Sequence, residues 1–127
     1  MKLLLDTHFV LAFVDKKLEE RFPQFANLLV SEDAELSVSV ASIWEIAIKT
    51  RLKKLDPRID PSDMPSYLAH IGIEILGMTV AHATAEVQPE PLTRDPFDRL
   101  LLAQAQIEGM RFVTVDRALA DHPVTFR

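Results

Sequence analysis

Short apolar runs and helical stripes follow one another along this chain. Lys2–Leu5 is an apolar run that stops at Asp6, which predicts a buried strand. Thr7–Val14 then reads as a helix. Leu18–Ser31 reads as a second, with Phe22, Phe25, Ala26 and Leu29 on one face. Leu36–Val38 predicts a short strand and Ala41–Lys53 a strong helix. Lys54–Pro65 carries three prolines among Asp and Ser, the composition of a loop. Ser66–His70 reads as a helical turn, Ile73–Leu76 as a strand, Ala81–Val87 as a helix and Gln88–Arg94 as a Pro-containing loop. Pro96–Glu108 is a clear helix with Gly109 as its stop. Arg111–Thr114 predicts a strand, Asp116–Ala120 a short helix and Val124–Phe126 a last strand.

Strands that alternate with helices predict an α/β fold with a mainly parallel sheet. Right-handed crossovers place helices on both faces of such a sheet. Ligands then bind beyond the carboxyl ends of the strands, so residues just after strands and at helix starts carry the chemistry. The 127 residues suit one domain, 1–127, and 48% hydrophobic residues suffice for one core. There is no cysteine. That excludes disulfides, a Cys nucleophile, iron–sulfur clusters and Cys-based zinc sites. Leu3–Leu5 and Phe9–Val14 are too short to span a membrane, and Asp6 interrupts any signal-peptide core between them. The expected compartment is the cytoplasm.

Asp6, Glu45, Asp98 and Asp116 each stand at or near the start of a helix that follows a strand or loop. Singly, each suits capping, because a helix N-terminus stabilises a carboxylate by about 0.3–1 kcal/mol. Asp95 before Pro96 is a good N-cap, with Asp98 three residues on as its capping-box counterpart, and Ser42 with Glu45 fits the Ser-x-x-Glu capping box. Glu45, however, shares a stripe with Ala41, Ile48 and Leu52. Asp98 shares one with Leu101, Leu102 and Ala105. Both therefore lie at the rim of the core, where a carboxylate needs a partner. Lys49 is placed to pair with Glu45.

If the four acids converge, their repulsion calls for a cation, and all-oxygen ligands suit Mg²⁺ or Mn²⁺. The net charge of −5 argues against a simple nucleic-acid binder, but taking the four acids away leaves −1. Arg94, Arg99 and Arg117 lie beside the acids in sequence and are candidates for phosphate contact.

Four stretches, in order, carry a resemblance: LLLDTH at Leu3–His8, SVASIWEIAIK at Ser39–Lys49, RDPFDRLLLAQA at Arg94–Ala105 and FVTVD at Phe112–Asp116. Together they resemble PIN-domain ribonucleases, specifically the toxin component of VapBC-type toxin–antitoxin pairs. The resemblance implies a three-layer α/β/α sandwich around a mainly parallel sheet. It implies a Mg²⁺- or Mn²⁺-dependent site that hydrolyses RNA. Carried over position by position, the metal-site acids are Asp6, Glu45, Asp98 and Asp116, with Asp6 and Asp98 central. Thr7 and Thr114 would orient them from behind. An antitoxin protein and a second copy of the chain are the implied partners.

Two positions depart from the family pattern. Thr93–Arg94 stands where a His-Arg pair is common, and an aromatic often stands near His122. Trp44 shares a stripe with Val40, Ala47 and Ile48 and is expected in the core, although it, Phe9, Phe13 and Lys54–Pro65 are also candidate groove material. A housekeeping RNA-processing nuclease and a catalytically weak binding module are the competing readings. A haloacid-dehalogenase-type phosphatase is set aside, since it needs an Asp at position 8, where His8 stands. A phospho-receiver domain fits no better, because its late strand should lead to a Lys and this one leads to Asp116.

Overall fold

The computed structural model describes residues 1–126. Strand β1 (Lys2–Leu5) leads into helix α1 (Thr7–Val14), then α2 (Leu18–Arg21), α3 (Pro23–Leu29), β2 (Glu35–Ser39) and α4 (Val40–Arg51). A 3-10 turn (Pro61–Asp63) precedes α5 (Met64–His70), β3 (Glu74–Leu76), α6 (Val80–Thr84), α7 (Pro96–Glu108) and β4 (Arg111–Val113). A second 3-10 turn spans Arg117–Leu119. Among the described residues the sheet has four strands, all parallel, in the order β3-β2-β1-β4.

The apolar pattern of β1 explains the layering. Leu3 and Leu5 enter one core with Phe9 and Val10 of α1, Ile46 of α4 and Met64 and Leu68 of α5. Leu4 enters the other, with Leu101, Leu102 and Ala105 of α7 and Phe112 of β4. Strand positions that are apolar without alternation are what a sheet covered on both faces demands. The expected α/β sandwich is the fold observed.

Several boundaries differ from the sequence expectation, each for a local reason. Leu18–Ser31 is two helices. Pro23 lacks an N–H and restricts the residue before it, and Phe22 accordingly leaves the helical region at φ −132°, ψ 58°. The cap of α4 is Ser39, whose side chain accepts from Ala41 N–H, so Ser42 is freed from the expected capping box. Helix α6 stops at Thr84, with Ala85 already extended. Val124–Phe126 does not form a strand, and Thr125 makes one isolated parallel bridge with Phe112. There the Val124 N–H donates to His122 Nδ1 and the Thr125 hydroxyl to the Leu119 carbonyl, which ties the segment to its own turn.

Trp44 is not in the core. It is 59% exposed and tilts against Phe97 of α7, with ring centroids 5.3 Å apart. Ile46 takes the buried face of α4, and two residues along a helix is a rotation of about 200°, which turns Trp44 outward.

Leu102 of α7 is fully buried, whereas Ile107 on the same helix is 44% exposed. Leu102→Ala should therefore lower the unfolding free energy by about 3 kcal/mol. Ile107→Ala should change it by about 0.5 kcal/mol or less. Urea denaturation of the two variants checks the contrast.

Candidate active site

The parallel sheet brings the carboxyl ends of all its strands to one edge. Asp6 ends β1, and its N–H donates to the Val113 carbonyl at the end of β4 over 3.0 Å. Asp116 lies three residues past that carbonyl. Helix α4 follows β2, the other neighbour of β1. The Trp44–Phe97 contact joins α4 to the start of α7, each ring one residue from a candidate acid, Glu45 and Asp98.

Asp6 is buried and caps α1, its Oδ1 accepting from the His8 N–H at 2.9 Å. Exposed His8 sits over the same oxygen, with Nδ1 at 3.5 Å. The hydrogen bond that the imidazole donates to Asp6 is the main cause of its raised pKa. Glu45 is held on both oxygens. The Thr7 hydroxyl donates to Oε1 at 2.6 Å, and Lys49 meets Oε2 at 3.0 Å. Thr7 also lies 3.1 Å from the Ser42 hydroxyl.

On the other side of the edge, Asp95 caps α7 through the Phe97 N–H and Asp116 caps the last 3-10 turn through the Ala118 N–H. The Thr114 hydroxyl accepts from the Asp116 N–H at 3.1 Å. Asp98 is different, for no helix N–H bonds its side chain among the described residues. Burial, then the charges of Asp95 and Asp116, push its carboxyl up to about 6, against a lowering hydrogen bond from Thr93. The Asp116 side chain raises it further through its contact with the Asp98 carboxyl.

Asp98 and Asp116 thus act on one another, while Asp6 and Glu45 are each held by a residue of the first turn of α1, His8 and Thr7 respectively. Among the described residues no three acids stand close enough to grip one ion directly. The donor set still fits Mg²⁺ or Mn²⁺. The donors are all hard oxygens. Mg²⁺ keeps several of its waters and needs only one or two carboxylates, and a cation would offset the like charge that pushes the Asp98 carboxyl up.

The three candidate arginines are placed unequally. Arg94 and Arg117 are exposed, and among the described residues their side chains make no hydrogen bond. Arg99 is engaged, pairing with Glu90 and donating to the Thr93 carbonyl at 3.4 Å. A groove of about 560 Å³ does not lie over the acids. It runs along α4, between Val40, Trp44 and Ala47 on one wall and Asp60–Ser62 on the other. Of the candidate groove residues, Trp44 and the end of Lys54–Pro65 line it, while Phe9 is fully buried. The sequence reading missed the buried Thr93, whose hydroxyl accepts from the Asp95 N–H at 3.1 Å. Its signal was present: a Thr two residues before a helix-capping Asp is an ST-turn.

Residues 3–124 match the PIN domain family. The chain is 32% identical over 127 residues to Ribonuclease VapC22 of Mycobacterium tuberculosis (strain ATCC 25618 / H37Rv), spanning 96% of this chain and 95% of that protein. Its fold is similar to a toxin-antitoxin complex from Klebsiella pneumoniae, with a TM-score of 0.64 and 15% identity over 98% of this chain and 96% of that one. It is also similar to VapBC2 from Rickettsia felis bound to a DNA fragment from their promoter, with a TM-score of 0.62 and 14% identity over 99% and 96% of the two chains.

The raised Asp98 pKa has a consequence for stability. Between about pH 4 and 6 the folded protein holds a proton that the unfolded chain has lost. Metal-free stability from this group therefore falls as pH rises through that window, and the cost is fully present above it. Asp98→Asn should raise the metal-free melting temperature at pH 7.5 by about 3 °C. The gap should close below pH 4. Melting curves in EDTA at the two pH values check it.

Proposed function

The chain belongs to the PIN domain family, and on that premise we propose that it is a metal-dependent endoribonuclease acting as the toxin of a type II toxin–antitoxin pair. The observation that carries the reading is the pair Asp98–Asp116. It is an electrostatically unfavourable couple at the carboxyl edge of a parallel sheet, where ligands bind in this architecture. Such strain persists where a bound cation and substrate repay it. The 32% identity to a ribonuclease along nearly the whole chain supports the same activity.

In this reading Asp6 and Asp98 are the central ligands of Mg²⁺ or Mn²⁺, and Glu45 and Asp116 complete the site, partly through waters. A cation held by these acids would supply a lowered pKa for attacking water and charge for the phosphoryl oxygens. The protein does the rest. Thr7 and Lys49 fix the Glu45 carboxylate from both sides, and Thr114 fixes the turn that presents Asp116. A carboxylate of the cluster takes the proton of the attacking water as it opens the phosphodiester in line. Arg94 and Arg117 meet the RNA backbone. Arg99 adds its charge from beside them while Glu90 holds it. The partners are RNA, an antitoxin protein that blocks the site, and a second copy of the chain. The setting is the cytoplasm; among the described residues no helix is long and apolar enough to cross a membrane.

Purified protein free of antitoxin should cut cellular RNA into discrete products with Mn²⁺ or Mg²⁺ and not with EDTA. Asp98→Asn should lower that cleavage by more than about 100-fold while the protein stays folded. Expression of the wild type without its antitoxin should arrest growth. Absence of metal-dependent cleavage from folded wild type would shift the reading to a binding module. Cleavage without growth arrest would shift it to an RNA-processing nuclease.

A further inference from the structure

Thr93, in the loop before α7, meets the candidate acid Asp98. It is buried although polar, and each of its polar groups on the loop side is committed. Its carbonyl accepts from Arg99 Nη1, and Arg99 is itself paired with Glu90 at the start of the same loop. Its hydroxyl oxygen accepts from the Asp95 N–H at 3.1 Å. A hydroxyl has one proton and two lone pairs. With Asp95 N–H pointing at a lone pair, the proton must go elsewhere, and the acceptor in reach is Asp98 Oδ2 at 3.4 Å. That separation is long for an O–H donor. Charge on the carboxylate strengthens such a contact, since hydrogen bonds to an ionised acceptor are shorter and stronger.

The other three candidate acids are steadied by hydrogen bonds that their own turns or helices supply. Asp6 and Asp116 bond helix N–H groups, and Glu45 has Thr7 and Lys49. Asp98 has burial and like charge against it and only the Thr93 hydroxyl as a donor among the described residues.

We infer that Thr93 is a positioning residue for the candidate nuclease site, its hydroxyl orienting Asp98 toward the cation, with Glu90 and Arg99 bracing its backbone. The inference rests on the nuclease reading above. It makes Thr93 and Arg99 parts of one support. Substitution of Thr93 then acts on metal affinity first and on cleavage through it.

The test compares wild type, Thr93→Val and Thr93→Ser. Val keeps the shape and removes the hydroxyl, whereas Ser keeps the hydroxyl. Mn²⁺ alone is titrated by calorimetry, RNA cleavage is measured at saturating Mn²⁺ and below it, and amide exchange at Asp95 is followed in the metal-free protein. Thr93→Val should weaken Mn²⁺ binding by about tenfold. Most of its cleavage defect should disappear at saturating metal. Its Asp95 amide should exchange about tenfold faster. Thr93→Ser should restore all three to within about twofold of wild type. A Val variant that binds Mn²⁺ like the wild type overturns the role. So does a Ser variant as defective as Val, which would make the position one of packing. Wild type that neither binds Mn²⁺ nor cuts RNA overturns the nuclease reading, and this role with it.

Discussion

Strand β1 is apolar on both faces and hydrogen-bonded along both edges, so its chemistry is forced to its end. Leu3, Leu4 and Leu5 have no exposed surface. Their N–H and C=O groups are shared with β2 and β4. The first residue that can be polar is Asp6, which the ladder still holds through the Val113 carbonyl. Because both neighbours run parallel, the turns after β2 and β4 open on the same edge. Asp116 and the start of α4 arrive there without any need for mutual attraction.

That edge would otherwise be a poor place to gather negative charge. Helix starts ease the problem for Asp6 and Asp116, since each carboxylate satisfies an N–H that has no partner within its helix. A lysine eases it for Glu45. Asp98 is left with burial and two like charges, which push its carboxyl up to about 6. That corner of the fold therefore carries an electrostatic cost. The rest of the fold, with its two separate cores on either side of one sheet, holds it in place.

The loop before α7 shows how backbone and site are coupled. Glu90, Arg99 and Thr93 form a continuous set of contacts from the loop to the first turn of the helix. The aromatic pair Trp44–Phe97 closes the same corner from the α4 side. Asp98 therefore lies between two supports that belong to different segments of the chain.

Much of this was legible in the residues. The apolar runs predict β1, β2, β3 and β4 within a residue or two, most plainly β1, whose Leu3–Leu5 are buried on both faces. Pro96–Glu108 and its Gly109 stop are read correctly because the αL conformation at Gly109, φ 68°, costs glycine little. The four acids are visible as carboxylates that follow strands or open helices. Other features depended on contacts distant in sequence. Trp44 and Ile46 are both apolar, and only the packing of α4 against the sheet decides which is buried. Ser42 loses its capping role because Ser39 takes it, and turns to Thr7 from another helix. Arg99 is a free cation in the sequence and a paired one in the fold, because Glu90 is nine residues away and is brought back by the loop. Local pattern determined the elements and the identity of the acids. Tertiary structure alone decided which of those acids is pushed toward protonation, since mutual charge and burial depend on distances that no spacing along the chain specifies.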